Sequence, residues 1–461
     1  MLDKVIRALF VALAVGLGWG IRGDFGHLLG AAYPGAALGL AFAFVTGQRS
    51  MLKWMPALAA VSSLGIGVGG AMSYGILHGY AKSDTLPNYA FGYFTLFCQG
   101  ASWGVFGCAA IGLLLEKKQL RLAEWGRLLG SVFLGGFILY YVAVQMLDFH
   151  VNPPRSNSSI GHTGAALTLF AWLILNKKHL ALRAAFFGYT GFGVGMFFGR
   201  FLGNAAYLLP FQINCWNIME VSAGFFGGLI FTLGMLGCKF PDPPKSPSRP
   251  WWDGVSVLWV LGGIPVFHLI WKITLQKKPE GWIERFAGFK DHVYENPEAW
   301  SQHVLNLLYI ICAVAVVGAA TWLVAHRKQT WAFRALPALF LSLIMLLFQN
   351  TSALRFWYDH QENYVNMHNV FWVLFGLMIF GAIYVYLRPP FPVRQEEEVP
   401  KLPWRAGIAG VLALYIAVLI GAGLGVNNEE TMGSAVTRWP KWHFREGPFP
   451  GRENSSETFH R

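Results

Sequence analysis

The stretch Gly20-Ile21-Arg22-Gly23-Asp24-Phe25-Gly26-His27 places an arginine, an aspartate and a histidine within six positions, between two long runs that carry no charge. Ionisable side chains at membrane depth are costly, and they generally face a cavity, a partner or a pathway rather than lipid. The fold therefore turns on whether the flanking runs cross a membrane.

Composition says that they do. The chain of 461 residues is 54% hydrophobic and only 13% charged, against about 25% charged in ordinary soluble domains. Thirteen apolar runs of crossing length are bounded by charges or turn residues, at 5–21, 28–47, 55–77, 91–115, 128–147, 162–176, 184–202, 216–237, 254–272, 304–325, 335–350, 367–387 and 406–426. The expected class is an all-α polytopic membrane protein. Lys4 and Arg7 followed by an apolar run have the layout of a secretory signal, but no small-residue cleavage site precedes Arg22, so a retained first helix is expected.

The net charge of +12 has a simpler use than nucleic-acid binding, for which nothing speaks. Of the 36 basic residues, 21 fall in alternate loops on one side, 10 in the opposite loops and 5 in the C-terminal tail. The positive-inside bias makes the first side cytoplasmic, with the N-terminus inside, the C-terminus outside, and the cell (inner or plasma) membrane as the expected location. Arg22, Asp24, His27, His78, His162, Arg200 and Glu220 then share the outer side. The five cysteines show no C-x-x-C pair; they are expected as small apolar helix residues, with a Cys98–Cys215 disulfide as the alternative.

The first eight spans read as four glycine-rich hairpins, in which small residues let helix backbones approach closely. Gly26-His27-Leu28-Leu29-Gly30-Ala31 resembles Gly161-His162-Thr163-Gly164-Ala165, so residues 1–116 and 117–238 are candidates for a parallel duplication. Composition shifts after Cys238. The expected organisation is an eight-span core (1–238), a cytoplasmic proline-rich linker (239–253), a five-span part (254–426) with an outer amphipathic loop (273–303), and an outer polar tail (427–461).

Spacing sets depth. Only 14 residues separate Arg7 from Arg22 and 16 separate Arg183 from Arg200, whereas a crossing helix needs about 20. Fifteen residues separate His162 from Lys178. Either the long side chains snorkel to the interface or Arg22, His162 and Arg200 line a pocket below the outer surface; the second reading is preferred, since histidine is too short to recover much depth.

Each constellation has two readings. Asp24 can neutralise Arg22, or Arg22 can offer its forked donor to an anion while Asp24 and His27 handle a proton. Asn217, Glu220, Gly224 and Gly228 share one helical face, and a carboxylate there needs a partner. Arg200 is nearest by topology, so Glu220 either pairs with it or serves ion coupling. The segments around Asp148-Phe149-His150 and Asp359-His360 have metal-ligating residue types without a metal spacing, so no metal site is expected and no cofactor is indicated.

The functional reading is a membrane transport protein with an outward-opening pocket, in which Arg22, Arg200, Asn217 and His162 hold a small anionic or polar solute and Asp24, His27 and Glu220 couple a proton or ion. The alternatives are a membrane-embedded transferase or hydrolase acting on a lipid-linked substrate, and a non-catalytic scaffold. The expected partners are the bilayer and the solute, with a second copy or another membrane subunit possible.

Overall fold

The computed structural model describes residues 1–22, 27–70, 75–83, 85–151, 157–243, 249–270, 364–365, 367–392 and 399–427, with isolated helical positions between 306 and 340. The fold is all-helical. Its helices are α1 (Leu2–Gly20), α2 (His27–Thr46), α3 (Arg49–Gly69), α4 (Gly75–Tyr80), α5 (Leu86–Leu114), α6 (Leu122–Tyr140), α7 (Ser158–Leu175), α8 (His179–Ala205), α9 (Cys215–Met235), α10 (Arg249–Val257), α11 (Ile264–Ile270), α12 (Met367–Leu387) and α13 (Trp404–Gly421). A two-residue parallel bridge, β1 (Gln212–Ile213) with β2 (Tyr364–Val365), ties the segment before α9 to that before α12.

Six helices close a ring: α1 packs on α2, α2 on α3, α3 on α5, α5 on α8, α8 on α9, and α9 back on α1. Every joint has a glycine facing a neighbouring backbone. A side-chain carbon built on Gly104 of α5 would lie 2.4 Å from the Gly188 carbonyl oxygen of α8, and one on Gly39 of α2 would lie 2.5 Å from the backbone of Leu58 in α3. Gly69 meets Trp103 between α3 and α5, Gly195 meets Ala223 between α8 and α9, Gly224 meets Val15 between α9 and α1, and Gly18 meets Pro34 between α1 and α2. Without a hydrophobic force between helices in lipid, this close contact is what holds them.

Outside the ring, the α6–α7 hairpin leans on α5 and α8, while α10 and α11 lie against α3 and α2, α12 against α1, and α13 against α5 and α8. Only one hairpin of the second half thus enters the ring, whereas both hairpins of the first half do, so a parallel duplication is not visible in the packing. Among the described residues, eight helices are long and apolar enough to cross a membrane: α3, α5, α6 with its π-helical extension, α7, α8, α9, α12 and α13. The expected spans 304–325 and 335–350, the loop 273–303 and the tail beyond Asn427 lie outside the described residues.

Several helices begin earlier than the charges suggest. α8 was expected from 184 but starts at His179, because Arg183 is turned inward: its Nε donates to the Gly234 carbonyl at 2.9 Å and its Nη1 to that of Pro400 at 3.0 Å. The expected span 55–77 is instead two helices. α3 runs from Arg49 and stops at Gly69, within its own run of glycines, and the short α4 follows. Cys98 and Cys215 are both free thiols; the alternative of a disulfide between them is wrong, since Cys98 lies within α5 and Cys215 opens α9.

The packing makes a controlled prediction. Gly104→Ala pushes a methyl into the α5–α8 joint and should destabilise the protein by about 1–3 kcal/mol. Gly130→Ala, at a position with no neighbour within 4 Å, should stay within about 0.5 kcal/mol of the native chain. Denaturant titration in mixed micelles measures both; equal effects would contradict the ring.

Candidate functional site

The two ends of the ring treat their buried arginines differently. At the end that gathers the basic loops, Arg7 on α1 is 1% exposed. It pairs with Asp3 at 3.0 Å and donates to the carbonyls of Val45 and, at 2.7 Å, Pro389. Arg183 makes the corresponding contacts from α8 to Pro400. Both thus fasten the connection between α12 and α13 across this end, and Phe391 adds a backbone bond to Thr46. The segment after α9 is fastened there too, by the Trp54 indole to the Pro241 carbonyl and by Lys53 to Asp242.

Midway, Trp19 of α1 and Trp103 of α5 stack with ring centroids 5.0 Å apart, and Phe192 of α8 lies 5.4 Å from Trp19. All three are buried. They form an aromatic floor.

Beyond the floor lies a polar layer. Arg22 sits over Trp103, 4.3 Å from the ring centroid, and its Nη1 lies 3.4 Å from Glu220 Oε1, with both side chains 1% exposed. Arg22 therefore pairs with Glu220 of α9, and the sequence-based expectation that Arg200 would be the partner of Glu220 is corrected. The reason is the face on which Glu220 sits: Gly224 and Gly228, one and two turns on, rest on Val15 and Val11 of α1, so Glu220 points along α1 toward Arg22. Gly195, Gly199 and Gly203 of α8 meet the other side of α9.

Arg200 is the other buried cation here, 2% exposed. It donates to the Asn204 side-chain oxygen, and among the described residues its Nε has no acceptor. Asn204 is itself held by the Ala81 carbonyl at 3.0 Å, the Tyr93 hydroxyl at 3.1 Å and the Asn427 side chain at 3.1 Å, which joins α8 to the α4–α5 connection, α5 and the end of α13. Among the described residues no carboxylate lies within ion-pair distance of Arg200. Nearby, Lys82 lies 3.4 Å from the Tyr207 hydroxyl and 4.7 Å from the centre of its ring. Burial, and then the positive charge of Arg200, lower the Lys82 ammonium to about 8.

His78, buried on α4 outside the spanning helices, lies edge-on to Trp216 at 5.0 Å. Burial, followed by the charges of Arg200, Lys82 and Arg22, holds it well below the usual histidine range. With its pKa so lowered, the ring is uncharged at pH 7.

The structure thus places Arg22 against Glu220, with Asn217 buried one turn before Glu220, while Arg22 and Arg200 both bear on His78. It does not bring in His162. That ring rests on the carbonyl oxygens of Ser158 at 2.8 Å and Val68 at 3.2 Å, on an apolar cleft of about 830 Å³ between α3–α5 and α6–α7, separated from Arg22 by the α3–α5 wall. Asp24 lies outside the described residues, and His27 opens α2. Asp148, His150 and Asn157 bond one another locally; the cluster at Asp359 and His360 lies outside the described residues. Among the described residues no group of three His, Cys, Asp or Glu side chains could hold a metal. Lys82 and Asn204 were not singled out by sequence: Asn204 lies one turn beyond Arg200, a legible signal, whereas nothing local marks Lys82.

Compared with known proteins, the chain matches no protein-family model, and neither a curated protein nor a solved structure shows significant similarity to it.

The Arg22–Glu220 pair yields a test. Glu220→Leu leaves the Arg22 charge buried without that partner and should cost about 3–5 kcal/mol, whereas the double variant with Arg22→Met should recover much of the loss. A double-mutant cycle of unfolding free energies measures the coupling. Additive single effects would show that the two side chains do not interact.

Proposed function

We propose that this multi-pass membrane protein is a transport protein whose polar layer receives a small anionic or polar solute, with Arg200 as its anion-binding side chain. The observation that carries this reading is a guanidinium buried in the wall of a membrane-embedded ring without a carboxylate partner among the described residues. A buried charge is costly unless it is compensated, and a solute anion supplies the compensation. This reading has the solute enter from the side opposite the aromatic floor. The aromatic floor and the connections fastened by Arg7 and Arg183 close the end rich in basic loops, which the positive-inside bias makes cytoplasmic.

Arg22 and Glu220 supply the coupling element. A buried ion pair has two discrete arrangements, made or broken, and protonation of Glu220 releases Arg22 toward the solute. Alternating access then requires the Trp19–Trp103–Phe192 floor to part while the outer layer closes. The wider set of expected ligands contracts to Arg200, Arg22 and Asn217 around the site, with Glu220 as the coupling residue.

The test is uptake into proteoliposomes of labelled sulfate, phosphate, succinate and glutamate. Arg200→Gln should lower uptake of the transported anion at least tenfold while the protein still melts cooperatively, since truncating one side of a buried charged contact costs about 2–5 kcal/mol and about 1.4 kcal/mol is tenfold. Uptake of every anion unchanged in Arg200→Gln would overturn the assignment.

A further inference from the structure

We infer that the anionic group of the solute is a dianionic oxyanion of the phosphate or sulfate class, seated between Arg200 and Lys82. The inference rests on the reading of the polar layer as an anion site and adds to it a second cation and a charge for the ligand.

Three observations converge. First, Arg200 is a fixed donor: Asn204 orients its guanidinium, and Asn204 is in turn tied to Ala81, the residue before Lys82, at 3.0 Å. The same backbone carbonyl also takes a bond from Asn427 at 3.0 Å, which locks the position of the α4–α5 connection relative to α8. Second, Arg200 Nε is buried with no acceptor among the described residues, and a guanidinium with spare donors suits a multi-oxygen anion. Third, Lys82 lies close enough to Arg200 to feel its charge, and among the described residues its contacts are the Tyr207 hydroxyl and ring.

Two like charges converging without a carboxylate among the described residues repel each other. A monoanion offsets one of them; a dianion offsets both and bridges them by charge-assisted hydrogen bonds. The Arg22 charge is already balanced by Glu220 and His78 is neutral, so the uncompensated charge of the described layer is that of Arg200 and Lys82. The groups bearing on Lys82 are Arg200 from α8, Tyr207 from the turn after it, Cys215 from α9 and His78 from α4. Of the two cations only Lys82 changes charge in the accessible range. It is protonated below about 8 and loses its charge above, so in the unliganded protein the second positive charge fades as pH rises.

Sulfate and methyl sulfate make a matched pair, alike in oxygen geometry and different in charge, and methyl phosphate tests whether the dianion can belong to an organic solute. Titration calorimetry on the purified full-length chain at pH 7 should show sulfate binding at least tenfold tighter than methyl sulfate. Methyl phosphate binding like sulfate identifies a phosphorylated solute, and sulfate alone binding identifies the inorganic ion. Lys82→Gln should erase the preference while leaving methyl sulfate binding in place. Lys82→Arg should keep it at pH 9.5, where the native chain loses it. Equal binding of sulfate and methyl sulfate by the native chain, or a preference that survives Lys82→Gln or pH 9.5 unchanged, would overturn the two-cation seat while leaving Arg200 as an anion site. Binding of neither anion would overturn both.

Discussion

Close backbone contact at glycine is the constraint on which the rest of this structure depends. In lipid, apolar side chains gain little by leaving one neighbour for another, so helices associate through packing and polar contacts. At each joint of the ring a glycine removes the side chain that would hold two backbones apart. The closed ring then does what single helices cannot: it provides an interior where arginines at both ends are screened from hydrocarbon. Gly224 and Gly228 illustrate the coupling of packing to chemistry, since the close approach they allow between α9 and α1 is what sets Glu220 beside Arg22.

The same residue type has opposite roles at the two ends. Arg7 is held by the Asp3 carboxylate and by the carbonyls of Val45 and Pro389, and Arg183 by the carbonyls of Gly234 and Pro400, which makes both of them fasteners. Arg22 meets the Glu220 carboxylate. Among the described residues Arg200 is matched by the Asn204 amide oxygen, which orients the guanidinium without balancing its charge. Among the described residues the arginines thus run from several partners at one end of the ring to an unbalanced charge in the polar layer, and the proposed anion site rests on that difference.

Much of the architecture was legible in the sequence because its causes are local. Apolar runs and glycine spacing read directly as helices and joints, and α12 falls on the expected residues 367–387. The short intervals Arg7 to Arg22 and Arg183 to Arg200 were legible as an anomaly of depth, and burial of all four side chains resolves it: they turn inward rather than snorkel. What failed was partner choice. Adjacency in topology pointed Glu220 toward Arg200, whereas the ring closes α9 onto α1, a contact between residues some two hundred positions apart. His162 failed for a related reason, since its short interval to Lys178 reflects a hairpin held outside the ring. Lys82 was invisible because its importance arises from α8 and the turn at Tyr207 folding over a connection.

A density map of the full-length protein in nanodiscs, at a resolution that shows side chains, bears most directly on the uncompensated charge of Arg200. With the anion washed out, Arg22 should lie against Glu220 and no carboxylate from any part of the chain should lie within 4 Å of Arg200; with sulfate added, density should fill the space between Arg200 and Lys82. A carboxylate of the chain itself seated on Arg200 would contradict the assignment, because that guanidinium would then be a structural ion pair with no charge left for a solute.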